Sequence, residues 1–135
     1  MTGLEVQRTG RHEFVGRNDR GAEVRLGRAG QDGVFSPAEL LQVAAAGCAG
    51  VTAEELITRR IGEDSKFRVE VSADRREGAS ELDAVHVRFD ADVSALDDEQ
   101  RQALALAVDR AIERLCTVSR TLKKAIPVTE EFPTA

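Results

Sequence analysis

Apolar and polar residues alternate along much of the chain, on both sides of a long apolar segment. A two-residue period is typical of half-buried strands. It predicts six strands, at about residues 4–8, 14–15, 22–26, 67–71, 85–93 and 126–132. A hairpin turn is expected at residues 18–21, where Gly21 can adopt a positive φ. The last strand would be entered at Pro127 and would carry Val128 and Phe132.

Helical spacing replaces this alternation in two regions. Ser36 can cap a first helix, Pro37 suits its first position, and Glu39 completes a capping box. This helix should end near Gly62. A second cap signature at residues 94–97 precedes apolar residues at helical spacing up to about Leu115, and a short helical turn around Leu122 should follow.

The order of these elements predicts an α+β fold, because the strands cluster in hairpins instead of alternating with helices. The length of 135 residues fits one domain that covers residues 1–135. Between Val43 and Val51 the first helix has no polar stripe, which indicates that it is covered on all sides. One small subunit can hardly supply that cover, so the sequence predicts a dimer.

Charge and hydropathy exclude several classes of protein. The formal net charge is −5, from 24 acidic and 19 basic residues, whereas proteins that bind nucleic acids or anionic membranes need a basic face. We also expect no membrane-spanning helix, which takes roughly 18 consecutive apolar residues, and no signal peptide. The expected location is therefore the cytoplasm, without nucleic-acid or membrane partners.

The two cysteines, Cys48 and Cys116, leave two interpretations open. Buried cysteines often pack as small apolar residues, and Cys48 lies in the most apolar helix, where burial would raise the pKa of its thiol unless a cation is near. Cys116 precedes polar residues, so backbone N–H groups and Arg120 would favour a thiolate there. Composition alone allows either inert core thiols or a redox pair.

The surroundings of both cysteines resemble the OsmC/Ohr family. Residues 36–41 (SPAELL) followed by residues 45–48 (AAGC) are similar to the first cysteine motif of that family, and residues 116–122 (CTVSRTL) are similar to the second. The spacing of the motifs, the order of elements and the length also agree. Ala49 and Gly50 depart from the pattern, because a bulky aromatic residue commonly follows the first cysteine. We therefore expect a divergent branch of the family.

This resemblance implies a fold, a reaction and partners. The fold would be OsmC-like, with antiparallel sheets wrapped around long central helices in an intertwined homodimer. The activity would be thiol-dependent reduction of organic hydroperoxides without a cofactor. Cys48 would attack the peroxide, Cys116 would resolve the product to a disulfide, and an external dithiol would reduce that disulfide.

The family also uses an arginine that activates the reactive cysteine and a glutamate that orients this arginine. Gly10-Arg11 matches the arginine position best, and Arg17 is the second choice. The family's glutamate directly follows the proline, but Ala38 stands there in this chain and Glu39 comes one residue later. One helical step turns a side chain by about 100°, so Glu39 could be limited to capping the helix.

Other types of site have little support in the sequence. His12 and His86 have no partner at metal-ligand spacing, so no metal is expected, and neither a nucleophile elbow nor a phosphate-binding loop is present. A second hypothesis keeps the dimeric fold but assigns the chain to binding a hydrophobic small molecule, with little catalysis because Ala38 disarms the site.

Overall fold

The computed structural model describes residues 3–134 and divides into two compact units, with the boundary between Val43 and Ala44. Its elements are mixed α and β, which confirms the predicted α+β class. In chain order they are β1 (Glu5–Gly10), β2 (Glu13–Arg17), β3 (Glu23–Leu26), α1 (Pro37–Ile61), β4 (Arg68–Asp74), β5 (Ala84–Asp90), α2 (Asp98–Leu115) and α3 (Thr117–Leu122).

The first unit contains the three predicted strands, which pair in an antiparallel sheet in the order β1-β2-β3. The turn between β2 and β3 is organised by Asn18, whose side-chain oxygen accepts the N–H groups of Arg20 and Ala22, each at 2.9 Å. Gly21 has a φ of 93° in this turn, a conformation that glycine adopts without the steric cost of a Cβ. The predicted hairpin is therefore confirmed.

The capping box at the start of α1 is also present. The N–H of Glu39 donates to Ser36 Oγ at 3.1 Å, and the N–H of Ser36 donates to Glu39 Oε1 at 2.9 Å. These reciprocal bonds satisfy groups that a helix start leaves without partners. At its other end α1 stops at Gly62, which has a φ of 116° and whose N–H donates to Thr58 O at 2.8 Å.

The second unit has its core where α1, α2 and the β4–β5 hairpin supply apolar side chains. Five buried residues form the cluster: Ala53, Ile57, Leu96, Leu104 and Val108. The rings of Phe67 and Phe89 pack beside it with their centroids 6.3 Å apart. On the exposed side of the hairpin, Arg68 pairs with Asp90 at 2.7 Å.

Three expectations about element ends were wrong. Residues 126–132 form no strand, and Ile126, Val128 and Phe132 are exposed. The fifth strand ends at Asp90 instead of continuing to Val93. The N-cap of α2 is Asp97: its side chain accepts the N–H of Gln100 at 2.8 Å, and its own N–H donates to the Gln100 side chain at 2.9 Å. Ser94, the first residue of the predicted signature, therefore lies outside the cap.

The apolar character of α1 needs a further correction. The helix has 25 residues and contains an 18-residue window with a mean hydropathy of 1.3, so the expectation that no segment approaches a membrane-spanning helix was wrong by length and composition. Core helices of soluble proteins meet the same criterion, and this feature is weak evidence for a membrane segment. Leu41, Val43 and Val51 are exposed on this chain; dimerisation thus stays a prediction.

Candidate active site

Cys48 and Cys116 lie together in the second unit. Cys48 is partly buried in the middle of α1, and Cys116 is 0% exposed. Neither forms a disulfide, and the Cys116 thiol donates a hydrogen bond to the Cys48 sulfur. The fold therefore brings the two predicted redox residues into contact although they are far apart in sequence.

Cys116 stands at a break between two helices. It ends α2, because its N–H donates to Ile112 O at 3.0 Å, and it begins α3, because its carbonyl accepts the N–H of Arg120 at 2.9 Å. Its own backbone is extended, with φ −73° and ψ 102°. The break releases the first N–H groups of α3 from helical bonding, since the first N–H groups of any helix have no partner within it.

Two of these released N–H groups act on the Cys48 thiol. The backbone N–H of Val118 holds the pKa of the Cys48 thiol below its ordinary value; the Cys116 thiol, the N–H of Thr117 and the Thr52 hydroxyl act in the same direction, while partial burial opposes them. Hydrogen bonds to the charged form favour that form. Of the two thiols, Cys48 is therefore the one whose charged form its neighbours favour.

The Cys116 thiol has the opposite tendency. Burial raises its pKa, and the neighbouring Cys48 adds to the rise, although the N–H groups of Ser119 and Val118 oppose it. The sequence left the ionisation of both thiols open: the polar residues after Cys116 suggested a thiolate there, whereas the surroundings raise the pKa of Cys116 and lower the pKa of Cys48. The reason is that the N–H groups after Cys116 also reach the Cys48 sulfur, and that Arg120 donates to the carbonyl of Glu113.

Thr52 is a site residue that the sequence reasoning missed. It lies four residues after Cys48 on α1, and residues four apart share one face of a helix. A hydroxyl at this position can donate to the sulfur, as it does here. The i, i+4 spacing was the available signal.

The predicted arginines lie in the first unit and differ in their partners. Arg17 pairs with Glu23 at 2.7 Å and donates to Gln7 at 2.9 Å. Arg11 lies in the turn between β1 and β2 and donates to His12 Nε2 at 3.4 Å, with no carboxylate partner within residues 3–134. His12 has a φ of 57°, which is uncommon for a residue with a Cβ. Of the two predicted arginines, Arg11 is thus the one without a carboxylate partner among the described residues.

Glu39 is occupied by the helix cap. Its Oε1 accepts the N–H of Ser36, and no arginine of the described chain pairs with it. This matches the capping role that the shift from Ala38 to Glu39 predicted. Oε2 is the carboxylate oxygen that remains for another donor.

A groove of about 620 Å³ opens beside Arg11 in the first unit. Apolar side chains from all three strands line it, among them Val6, Phe14 and Leu26, and Arg8 and Arg28 also border it. Such a combination of apolar walls and a few polar groups is typical of small-molecule sites. Among residues 3–134, no group of three or more His, Cys, Asp or Glu side chains is arranged to hold a metal ion.

Comparison with known proteins places these features in a family. Residues 30–131 match the family model described as OsmC-like protein. An uncharacterized protein of Mycobacterium tuberculosis is 37% identical over 131 residues, which cover 97% of this chain and 96% of that relative.

Solved structures show the same fold at lower identity. An OsmC-like protein from Mycoplasma pneumoniae has a TM-score of 0.65 at 15% identity, covering 89% of this chain and 85% of its own. The organic hydroperoxide resistance protein OhrB of Bacillus subtilis has a TM-score of 0.51 at 23% identity, covering 90% and 91%.

Proposed function

Because the chain belongs to the OsmC-like protein family, we propose that it is a thiol-dependent peroxidase that reduces organic hydroperoxides in the cytoplasm. The observation that carries this proposal is the contact between Cys48 and Cys116, in which hydrogen-bond donors lower the pKa of the Cys48 thiol while burial raises the pKa of the Cys116 thiol. A peroxidase needs one ionised thiol to attack and a second thiol close enough to resolve the product. In this proposal residues 1–135 form a single OsmC-like domain.

The first step oxidises Cys48. The thiolate attacks the outer oxygen of the hydroperoxide, the O–O bond breaks, and the leaving alkoxide takes a proton from solvent to become an alcohol. Cys48 becomes a sulfenic acid, so two electrons pass from its sulfur to the peroxide. The donors from Thr52, Thr117 and Val118 support this step because they raise the thiolate fraction at neutral pH.

The second step joins the two sulfurs. The Cys116 sulfur attacks the Cys48 sulfenic acid, a disulfide forms, and the hydroxyl leaves as water with the proton of the Cys116 thiol. An external dithiol then reduces the disulfide to two thiols and becomes a disulfide itself. The raised pKa of Cys116 suits this order of events, since a neutral thiol donates to the Cys48 thiolate instead of repelling it.

Arg11 and Glu39 complete the proposed site. We assign Arg11 the cationic role because Arg17 is bound to Glu23 and Gln7. Glu39 has one carboxylate oxygen in the cap, so any orienting contact to Arg11 would use Oε2. We therefore expect substitution of Arg11 to lower the activity more than substitution of Glu39.

We further propose that the protein works as a homodimer. Leu41 and Val43 are each 42% exposed on α1, and Val51 is 78% exposed. Burial of apolar surface stabilises an assembly by about 25 cal/mol per Å², and a second copy would cover these side chains. Sedimentation at micromolar concentration should give twice the mass of one chain; a monomer would contradict this part of the proposal.

Peroxide turnover tests the function directly. Wild type, Cys48→Ser and Cys116→Ser are compared for consumption of cumene hydroperoxide with dithiothreitol as the donor. Cys48→Ser should be inactive, whereas Cys116→Ser, treated with the peroxide in the absence of dithiothreitol, should react once and retain a sulfenic acid that dimedone traps. Equal turnover by wild type and Cys48→Ser would overturn the proposal.

The groove beside Arg11 supports a second candidate function, the binding of a hydrophobic small molecule with little catalysis. The two functions differ in thiol chemistry. A rapid Cys48–Cys116 disulfide after addition of peroxide would exclude binding as the main role. A Cys48 thiol that titrates like free cysteine and forms no disulfide would favour it.

A further inference from the structure

The helix break at Cys116 leaves carbonyl groups at the end of α2 without their normal donors. In an uninterrupted helix the N–H of Thr117 would donate to the carbonyl of Glu113, four residues earlier. The extended backbone of Cys116 prevents this bond, and the N–H of Thr117 instead faces the Cys48 sulfur, together with that of Val118. The thiolate donors are thus available only because the helical ladder is interrupted here.

One side chain takes the place of the lost donor. Arg120 Nη1 donates to Glu113 O at 2.8 Å, while the backbone N–H of the same residue donates to Cys116 O at 2.9 Å. Arg120 therefore binds the last turn of α2 through its side chain and the first turn of α3 through its backbone. It spans the break from which Thr117 and Val118 project their N–H groups.

We propose that Arg120 is a positioning residue for the thiol chemistry: its bond to the Glu113 carbonyl fixes the angle between α2 and α3 and so keeps the N–H groups of Thr117 and Val118 on the Cys48 sulfur. This inference rests on the proposed function. The rival explanation is that Arg120 acts only through its positive charge. Substitutions of Arg120 can distinguish the effect of its hydrogen bond to Glu113 from the effect of its charge.

The test measures the ionisation of Cys48 in the full-length chain. Iodoacetamide alkylation of Cys48 is followed from pH 5 to pH 10 by peptide mass spectrometry. Arg120→Met keeps the length and helix propensity of the side chain but has no donor. Its alkylation midpoint should lie at higher pH than that of wild type, with a rate about threefold to tenfold lower below the midpoint and the same plateau above it.

Arg114→Met is the matched control, because Arg114 lies in the last turn of the same helix and the substitution removes the same charge. It should leave the midpoint unchanged. Arg120→Lys, which keeps the charge and one donor group, should fall closer to wild type than Arg120→Met. If the two methionine variants shift the midpoint equally, or if the lysine variant is no better than Arg120→Met, the positioning role is wrong.

Two further measurements keep the result interpretable. Circular dichroism establishes which variants fold; should Arg120→Met be unfolded, Arg120→Gln replaces it, since the shorter amide does not reach the Glu113 carbonyl. A folded Arg120→Gln with the wild-type midpoint overturns the inference. Because alkylation requires no peroxide, a shifted midpoint without any hydroperoxide turnover would refute the proposed function and leave the positioning role intact.

Discussion

Replacing Thr52 with valine removes one donor from the Cys48 sulfur and changes almost nothing else. Valine has the shape of threonine and the same branching at Cβ, so the helix should tolerate it. Thr52 lies one turn after Cys48. Among the groups that lower the pKa of the Cys48 thiol, its hydroxyl has the smallest effect. The change therefore isolates one hydrogen bond to the thiolate.

The surroundings of the Cys48 sulfur determine how much this substitution should destabilise the thiolate. A hydrogen bond to a charged group contributes about 1.5–3 kcal/mol. Water can partly replace the hydroxyl because Cys48 is partly exposed, and the N–H groups of Val118 and Thr117 remain. We take about half of the lower limit, about 0.7 kcal/mol, which corresponds to roughly threefold less thiolate below the midpoint.

The sign can be checked over the whole pH range. The lost bond raises the pKa of Cys48, so the alkylation rate falls at low and neutral pH and is unchanged at high pH, where the thiol is ionised in either protein. Thr58→Val provides the control, since it is the same substitution on the same helix and Thr58 is also partly buried. If the Thr52→Val profile coincides with wild type, or if Thr58→Val shifts as far, the hydroxyl does not stabilise the thiolate.

Three further outcomes can be measured. If Arg11 is the activating cation proposed above, Arg11→Met should lower the second-order rate with cumene hydroperoxide about tenfold or more, since the loss of such a cation disfavours the thiolate. Arg17→Met should stay within about twofold of wild type, and the reverse order would assign the cationic role to Arg17. Gly62→Ala should lower the free energy of unfolding in urea by about 1 kcal/mol or more, because residue 62 has a φ of 116°. An unchanged unfolding midpoint would contradict this. Leu104→Ala truncates a side chain that is 5% exposed and should lower the free energy of unfolding by about 2–5 kcal/mol, measured with heat or urea. A decrease below about 1 kcal/mol would show that the core does not depend on Leu104.

Local patterns predicted the elements well where one residue type decides the structure. Ser36 with Glu39 marked the start of α1, and Gly62 marked its end, because caps and positive φ values have few alternatives. The last strand failed for the opposite reason. Val128 and Phe132 follow the two-residue period of a strand. A strand, however, also needs a hydrogen-bonded neighbour, and the periodicity of one segment does not identify that neighbour.

The chemistry of the site was predictable only in part. The two motifs identified Cys48 and Cys116, but the direction of each thiol pKa depends on which sulfur the released N–H groups reach. That is a property of the break between α2 and α3, and short-range patterns do not specify its angle. Arg120 illustrates this limit, because its guanidinium serves the carbonyl of Glu113 instead of a thiol.

In the proposed peroxidase cycle, the contact between Cys48 and Cys116 also links turnover to folding. A disulfide between them would close a loop of roughly 70 residues, and the loss of chain entropy in the unfolded state would stabilise the oxidised protein by about 4 kcal/mol. The loop would tie the middle of α1 to the junction of α2 and α3. Each turnover would then carry the molecule through a form that unfolds and is proteolysed less readily, so the supply of dithiol would set the protein's lifetime as well as its rate.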